Sequence, residues 1–273
     1  MSRFKEQANV GFRWLTCGRR LFLRNPALLG GMGLCMALLI TLLSLLPIIG
    51  GMLVAFVAPL LLASAYLTVD VVSKEKRPVV LHKKAFKHSP RELVRVFRDE
   101  KRVIPVVVAG LFSMVTALFA RVLIQVIAGS AWTKEWTGLS PIASAELVAA
   151  LLLAVAVFFV AAWALIYALP LTFLQRRPLF PAMRRSFKTS LRLVSSLLVI
   201  LGFVLLPLLI AAFVAVFSIP AAYFTAFLLG AAVLPLTATS LYCSYRTIFP
   251  LPETASAVGV APVRPGISTR HRA

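Results

Sequence analysis

Acidic residues are scarce in this chain: 9 Asp and Glu stand against 29 Lys and Arg, with only 3 His and 3 Cys among 273 residues. So small a stock of metal-ligating and proton-transferring side chains excludes most chemistry before any fold is considered. His82, His88 and His271 all fall in polar connections, at no spacing that builds a zinc or iron site. Cys17, Cys35 and Cys243 form no C-x-x-C pair and neighbour no histidine cluster, so they read as small apolar residues rather than disulfide or metal partners. A Gly-rich phosphate loop, a G-x-S-x-G turn and paired carboxylates in a plausible pocket are also missing. An enzyme is therefore the least supported class, and no cofactor is expected.

Charge as a whole is short as well. Only 14% of residues are charged while 60% are apolar, where a soluble domain has roughly a quarter charged and half apolar. Buried helices of a large soluble protein would need polar helices to cover them, and the chain has almost none. The apolar excess instead gathers into six uncharged runs, at approximately 28–49, 52–72, 103–127, 145–173, 193–217 and 222–245. Each is long enough to cross a hydrocarbon core of about 30 Å as a helix. The fold class expected is all-α, a six-span membrane domain over 1–249 followed by a disordered tail over 250–273, rich in Pro, Ala, Gly and Ser. The first apolar run begins after residue 26 and is too long for a secretory h-region, so Met1 is expected to begin the mature chain.

What the chain has in quantity is positive charge, and its placement is lopsided. Lys and Arg number six before the first span, eleven in 73–102, six in 174–192 and four from Arg246 onward. The alternate connections hold Lys134 alone, and Arg121 lies inside the third span. A stripe on a globular domain would point to nucleic acid. Alternation between connections points instead to membrane orientation, with both termini cytoplasmic in a bacterial inner membrane. Trp132 and Trp136 suit the opposite interface, and the basic connections suit anionic lipid headgroups.

Three basic segments each lead into a span. In "GFRWLTCGRRLFLRNP", Arg13, Arg20 and Arg24 fall on one edge of a helix while Leu15 and Phe22 point away, flanked by Trp14 and Leu21. Pro26 then disfavours helix at Asn25 and lets the chain turn. In "HSPRELVRVFRDEKR", Ser89, Pro90 and Glu92 make a helix start, with Leu93 and Phe97 as an apolar pair. In "PAMRRSFKTSLRLVSS", Met183, Phe187 and Leu191 form one line and Arg184, Lys188 and Arg192 another. All three read as amphipathic helices lying at headgroup level. Each precedes two spans, the second of which carries Pro-Leu, at Pro59, Pro170 and Pro235. A threefold repeat of basic helix, span, turn and kinked span accounts for this; frequent proline in membrane helices is the competing account.

The stretch "GFRWLTCGRRLFLRNPALLGG" followed by "LLPIIGGMLVAFVAPLLLASAY" resembles a family of uncharacterised bacterial six-span inner-membrane proteins, best over residues 10–80. More distantly, the helix-span-span unit is similar to the membrane domain of glycerophosphodiester phosphodiesterases. The chain departs from those enzymes in having no soluble domain to hold their metal-binding carboxylates and histidines. The resemblance implies a fold and a location, and no activity.

Ionisable groups at membrane depth are the remaining candidates. Arg121 and Glu146 lie at similar depth near the outer ends of the third and fourth spans, where they either pair with each other or act singly, one reaching the surface and one capping its helix. Asp70 is placed to pair locally with Lys74 or Arg77. Gly30, Gly31 and Gly33 in the first span, and Thr237, Thr239 and Ser240 in the sixth, fit close helix packing and interhelical hydrogen bonding. Two functions fit this inventory. One is a non-enzymatic protein that organises lipid, or a protein partner or second copy, through its basic helices, and the other is a permease for a small or amphipathic molecule. Nucleic acid is not an expected partner.

Overall fold

The computed structural model describes residues 2–46, 49–74, 100–129, 141–175 and 177–249, and every element among them is a helix. In chain order these are α1 (Ser2–Arg24), α2 (Pro26–Ser44), α3 (Gly50–Lys74), α4 (Glu100–Ala128), α5 (Pro141–Ile166), α6 (Ala168–Gln175), α7 (Leu179–Arg192), α8 (Val194–Ala215) and α9 (Ile219–Ile248). The stretches Pro26–Ser44, Gly50–Lys74, Ile104–Ala128, Ala145–Gln175, Val194–Ala215 and Ile219–Ile248 are long and apolar enough to cross a membrane. This is a multi-pass membrane protein. Of the second basic helix expected from sequence, residues 88–99 lie outside the described residues, as does the tail over 250–273.

The first span starts where proline and its neighbour direct. Pro26 takes the first helical position, where its missing N–H costs nothing, and the Asn25 side chain accepts a hydrogen bond from the Leu28 N–H at 3.1 Å. The buried Asn25 thus separates α1 from α2. α9 is the hub of the bundle, touching α1, α2, α3 and α8, while α4 packs between α3 and α5. Long apolar helices have no polar face to orient them, so small residues decide where they meet. A Cβ on Gly33 would press on Ala231 O, the carbonyl that Pro235 leaves without its usual N–H partner, and would come within 2.7 Å of the Pro235 ring. A Cβ on Gly110 would lie 2.8 Å from Phe56 O, near Pro59. Gly30 and Gly31 have no such neighbour within 4 Å. Close packing therefore belongs to Gly33 of that trio.

The fourth span is broken, and the break has an identifiable chemistry. Pro170 has no N–H for Ile166 O, and that carbonyl accepts instead from the Tyr66 hydroxyl at 3.0 Å. One residue on, the Tyr167 N–H turns away from its own helix and donates to Ser186 Oγ at 3.0 Å. Ser186 Oγ in turn donates to Trp163 O at 2.9 Å, joined there by Ser190 Oγ at 3.2 Å. Two serines of α7 are therefore inserted into the hydrogen-bond ladder between α5 and α6, so that no freed backbone group is left bare. Ser186→Ala is expected to leave the Tyr167 N–H without its acceptor in a fully buried place, at a cost of about 1–3 kcal/mol. Thermal unfolding in detergent measures it, and Ser190→Ala should cost less because Trp163 O keeps Ser186.

α1 and α7 are attached to the bundle by strips of small and buried residues. On α1 these are Gly11, Trp14, Gly18 and Leu21, packed on α8 and α9; on α7 they are Leu179, Ala182, Ser186 and Ser190, packed on α5 and α6. Gln7 ties the start of α1 to the junction of α7 and α8, with its backbone carbonyl accepting from Ser196 Oγ at 2.6 Å and its amide donating to Arg192 O at 3.2 Å. This alters one expectation. Trp14 and Leu21 face protein, not lipid, because α1 rests on α8 and α9 rather than lying apart from them.

Docking of α1 also corrects the reading of the cysteines. Cys17 of α1 and Cys243 of α9 form a disulfide, their Cα atoms 6.3 Å apart, across a sequence separation of 226 residues. No local spacing could have signalled a pair so far apart in the chain. Cys35 remains a free thiol on an exposed face of α2.

Candidate functional site

The buried polar side chains collect at one end of the bundle, the end to which α1 and α7 attach. The reason is visible in the spacing from the prolines of α3 and α9. Tyr66 and Tyr242 each follow their span's Pro-Leu proline by seven residues, and Asp70 and Arg246 follow by eleven. Equivalent positions of α3 and α9 thereby meet. Asp70 Oδ1 accepts from the Tyr242 hydroxyl at 2.6 Å and lies 3.9 Å from the Arg246 guanidinium, while Oδ2 receives Lys74 Nζ at 2.7 Å. Ser73 Oγ lies 3.0 Å from the same Tyr242 oxygen, and the Arg246 guanidinium sits over the Tyr242 ring at 5.6 Å. The local pair of Asp70 with Lys74 is as its four-residue spacing implies.

Behind this ion cluster is an aromatic layer. Tyr66, Tyr167 and Tyr245 are fully buried. The Tyr167 hydroxyl and Ser244 Oγ are 3.1 Å apart, and Phe249 lies against both Tyr167 and Tyr245, at ring separations of 6.0 and 5.7 Å. Arg185 of α7 covers the outer side of Phe249 at 5.4 Å. Thr239 and Ser240 are buried too, but their hydroxyls return to Leu236 O of their own helix, so here packing rather than interhelical hydrogen bonding explains them.

Chemically, Asp70 is supplied with donors from two helices and so joins α3 to α9. Among the described residues, no group of three or more His, Cys, Asp and Glu is placed to hold a metal ion. The cations named from sequence are all on outward faces: Arg13, Arg20 and Arg24 on α1, and Arg184, Lys188 and Arg192 on α7. Beside them the same helices expose Phe12 and Leu23 at 59% each, and Phe180 and Leu191 at 74% and 49%. Arg121 and Glu146 are both exposed, on α4 and α5, two helices that pack together.

Tyr66, Tyr242, Arg246 and Ser186 were not anticipated as site residues. Aligning the three Pro-Leu prolines would have placed Tyr66 over Tyr242 and Asp70 over Arg246; nothing in the sequence marks Ser186. No family model matches the chain, and neither a curated protein nor a solved structure does.

Proposed function

We propose that this protein is a non-enzymatic organiser of anionic lipid at the cytoplasmic face of a bacterial inner membrane, acting through basic helices held at headgroup level. One observation carries the reading. α1 and α7 each expose large apolar side chains beside a row of cations while a third strip fixes the helix to the spans. An amphipathic helix with basic and apolar faces lies in the interface plane. Fixing two of them to one bundle holds their arginines in a set arrangement toward lipid phosphate. The alternative, a permease, would use the kinked spans as a route. Buried Tyr66, Tyr167 and Tyr245 fill the region where those spans converge, which favours the organiser.

The test is direct. Each Lys or Arg near an anionic surface contributes about 1 kcal/mol before screening by salt. Replacing Arg13, Arg20 and Arg24 with Gln is therefore expected to reduce the preference for phosphatidylglycerol over phosphatidylcholine by roughly tenfold or more. Native mass spectrometry of protein released from mixed-lipid nanodiscs reads that preference. An unchanged ratio removes the support for this function, whereas cargo accumulation in reconstituted vesicles would favour the permease.

A further inference from the structure

The disulfide between Cys17 and Cys243 is a bond that the docking of α1 does not need. Without it, Gly18 still seats α1 against Ser240 and Gly11 against Ser196, while Gln7 keeps its hydrogen bonds to Ser196 and Arg192. Trp14 and Leu21 are buried on the same side of the helix. The bond lies at the margin of that contact rather than inside it. Cys17 falls between the buried strip of Trp14, Gly18 and Leu21 and the outward row of Arg13, Arg20 and Arg24. Cys17 is half-buried, whereas Cys243 is 6% exposed. Of the two, Cys17 is therefore the one that a small reagent reaches first.

Its setting suits exchange chemistry. Thiol–disulfide exchange proceeds through a thiolate, an anion that neighbouring cations favour. Arg13 stands one helical turn before Cys17 and Arg20 one turn after it. In the cytoplasm, where glutathione and thioredoxin keep thiols reduced, disulfides are mostly transient, catalytic or redox-sensing. The cytoplasmic placement of α1 belongs to the lipid-organising reading, and the inference rests on it. We propose that Cys17 and Cys243 form a redox latch, open as two thiols in a reducing cytoplasm and closed by a low-molecular-weight disulfide when the thiol pool is oxidised. The Cys17 thiolate attacks one sulfur of the small disulfide, forming a mixed disulfide and releasing one small thiolate. The Cys243 thiolate then attacks the Cys17 sulfur and releases the second. Two electrons thus leave the protein, and the protons of its two thiols end on the two small thiols. Closure clamps the cationic row of α1 to α9, one residue from the Tyr242 that holds Asp70. The set arrangement of arginines toward lipid then depends on redox state.

The experiment equilibrates inside-out membrane vesicles holding the full-length chain, with Cys35→Ala to remove the third thiol, against glutathione buffers of rising oxidation. Acid quenching, denaturation and a maleimide of added mass then count free thiols. By mass action, a roughly hundredfold rise in the ratio of glutathione disulfide to squared glutathione should carry the pair from mostly thiol to mostly disulfide. In nanodiscs of phosphatidylcholine and phosphatidylglycerol, the closed form should melt higher than the open form and retain more phosphatidylglycerol. Cys17→Ala and Cys243→Ala should each fold, melt like the open form and lose the response to oxidation. A pair that stays disulfide in the most reducing buffer, or stays thiol in the most oxidising, overturns the latch. Equal phosphatidylglycerol retention by the two forms overturns its hold on lipid. Sidedness is read separately, with a membrane-impermeant phosphine that should open the bond in inside-out vesicles and not in spheroplasts. Opening in spheroplasts overturns the cytoplasmic placement and the latch together, whereas a flat titration with cytoplasmic access strikes the latch alone.

Discussion

Asp70→Ala is expected to destabilise the bundle by about 3 kcal/mol or more, among the largest effects of any single side-chain truncation in this protein. The change deletes the acceptor of the Tyr242 hydroxyl and the counter-charge beside Arg246, whose side chain is only 10% exposed. A buried hydroxyl that loses its charged acceptor costs more than the bond contributed, because its desolvation is no longer offset. Lys74 adds little to that figure, since its side chain is 61% exposed and solvent screens an i,i+4 pair. Lys74→Ala should therefore cost under about 1 kcal/mol. The diagnostic comparison is Asp70→Ala combined with Arg246→Met, which removes both members of the ion pair and should be less harmful than the sum of the single changes. Unfolding in a denaturing-detergent titration provides the numbers. Additive losses would mean that Asp70 and Arg246 do not share a cluster.

The distinction between Lys74 and Arg246 also marks how far sequence reasoning reaches. The spans were legible because the membrane imposes a length and forbids charge within it, a rule that needs no knowledge of neighbours. Asp70 with Lys74 was legible because four residues is a helix turn. Arg246 was hidden from the same reasoning, since it reaches Asp70 only after α9 packs on α3. The faces of α8 and α9 carry no periodicity to say which side is inside, as lipid and protein interior are both apolar. Gly33 decides where α2 meets α9 and Gly110 where α4 meets α3, and a glycine gives no sign of which carbonyl it approaches. The broken fourth span shows the limit from the other side. Pro170 signalled a kink, but the depth of the break depends on Ser186 and Ser190, which arrive from α7. The disulfide between Cys17 and Cys243 was invisible for the same reason, as it follows from α1 docking on α9.

Gly18→Leu is the sharpest test of that docking. A Cβ at Gly18 would meet Ser240 Oγ and would lie 2.7 Å from the Ser240 backbone nitrogen and 2.8 Å from its Cα. A hydroxyl can rotate aside, whereas the backbone of a membrane-spanning helix cannot retreat without disturbing its other neighbours. The expected outcome is that α1 lifts from α9. Burial of Trp14 and Leu21 against the bundle is then forfeited, about 1.5–3 kcal/mol for each side chain if the helix finds only water. Three signals follow together: lower thermal stability, a red-shifted Trp14 emission isolated by replacing the other tryptophans, and maleimide labelling of Cys17 and Cys243 without prior reduction. Retention of the disulfide and of the buried Trp14 emission would contradict the docked arrangement. The same variant separates two ways in which arginines can recruit lipid. A released α1 keeps its amphipathic sequence and can still lie on an anionic surface, so phosphatidylglycerol preference that survives Gly18→Leu would assign the effect to the helix alone. Preference that falls as α1 detaches would show that lipid is organised by helices held in register with the spans. That is the feature that distinguishes this bundle from an isolated basic peptide.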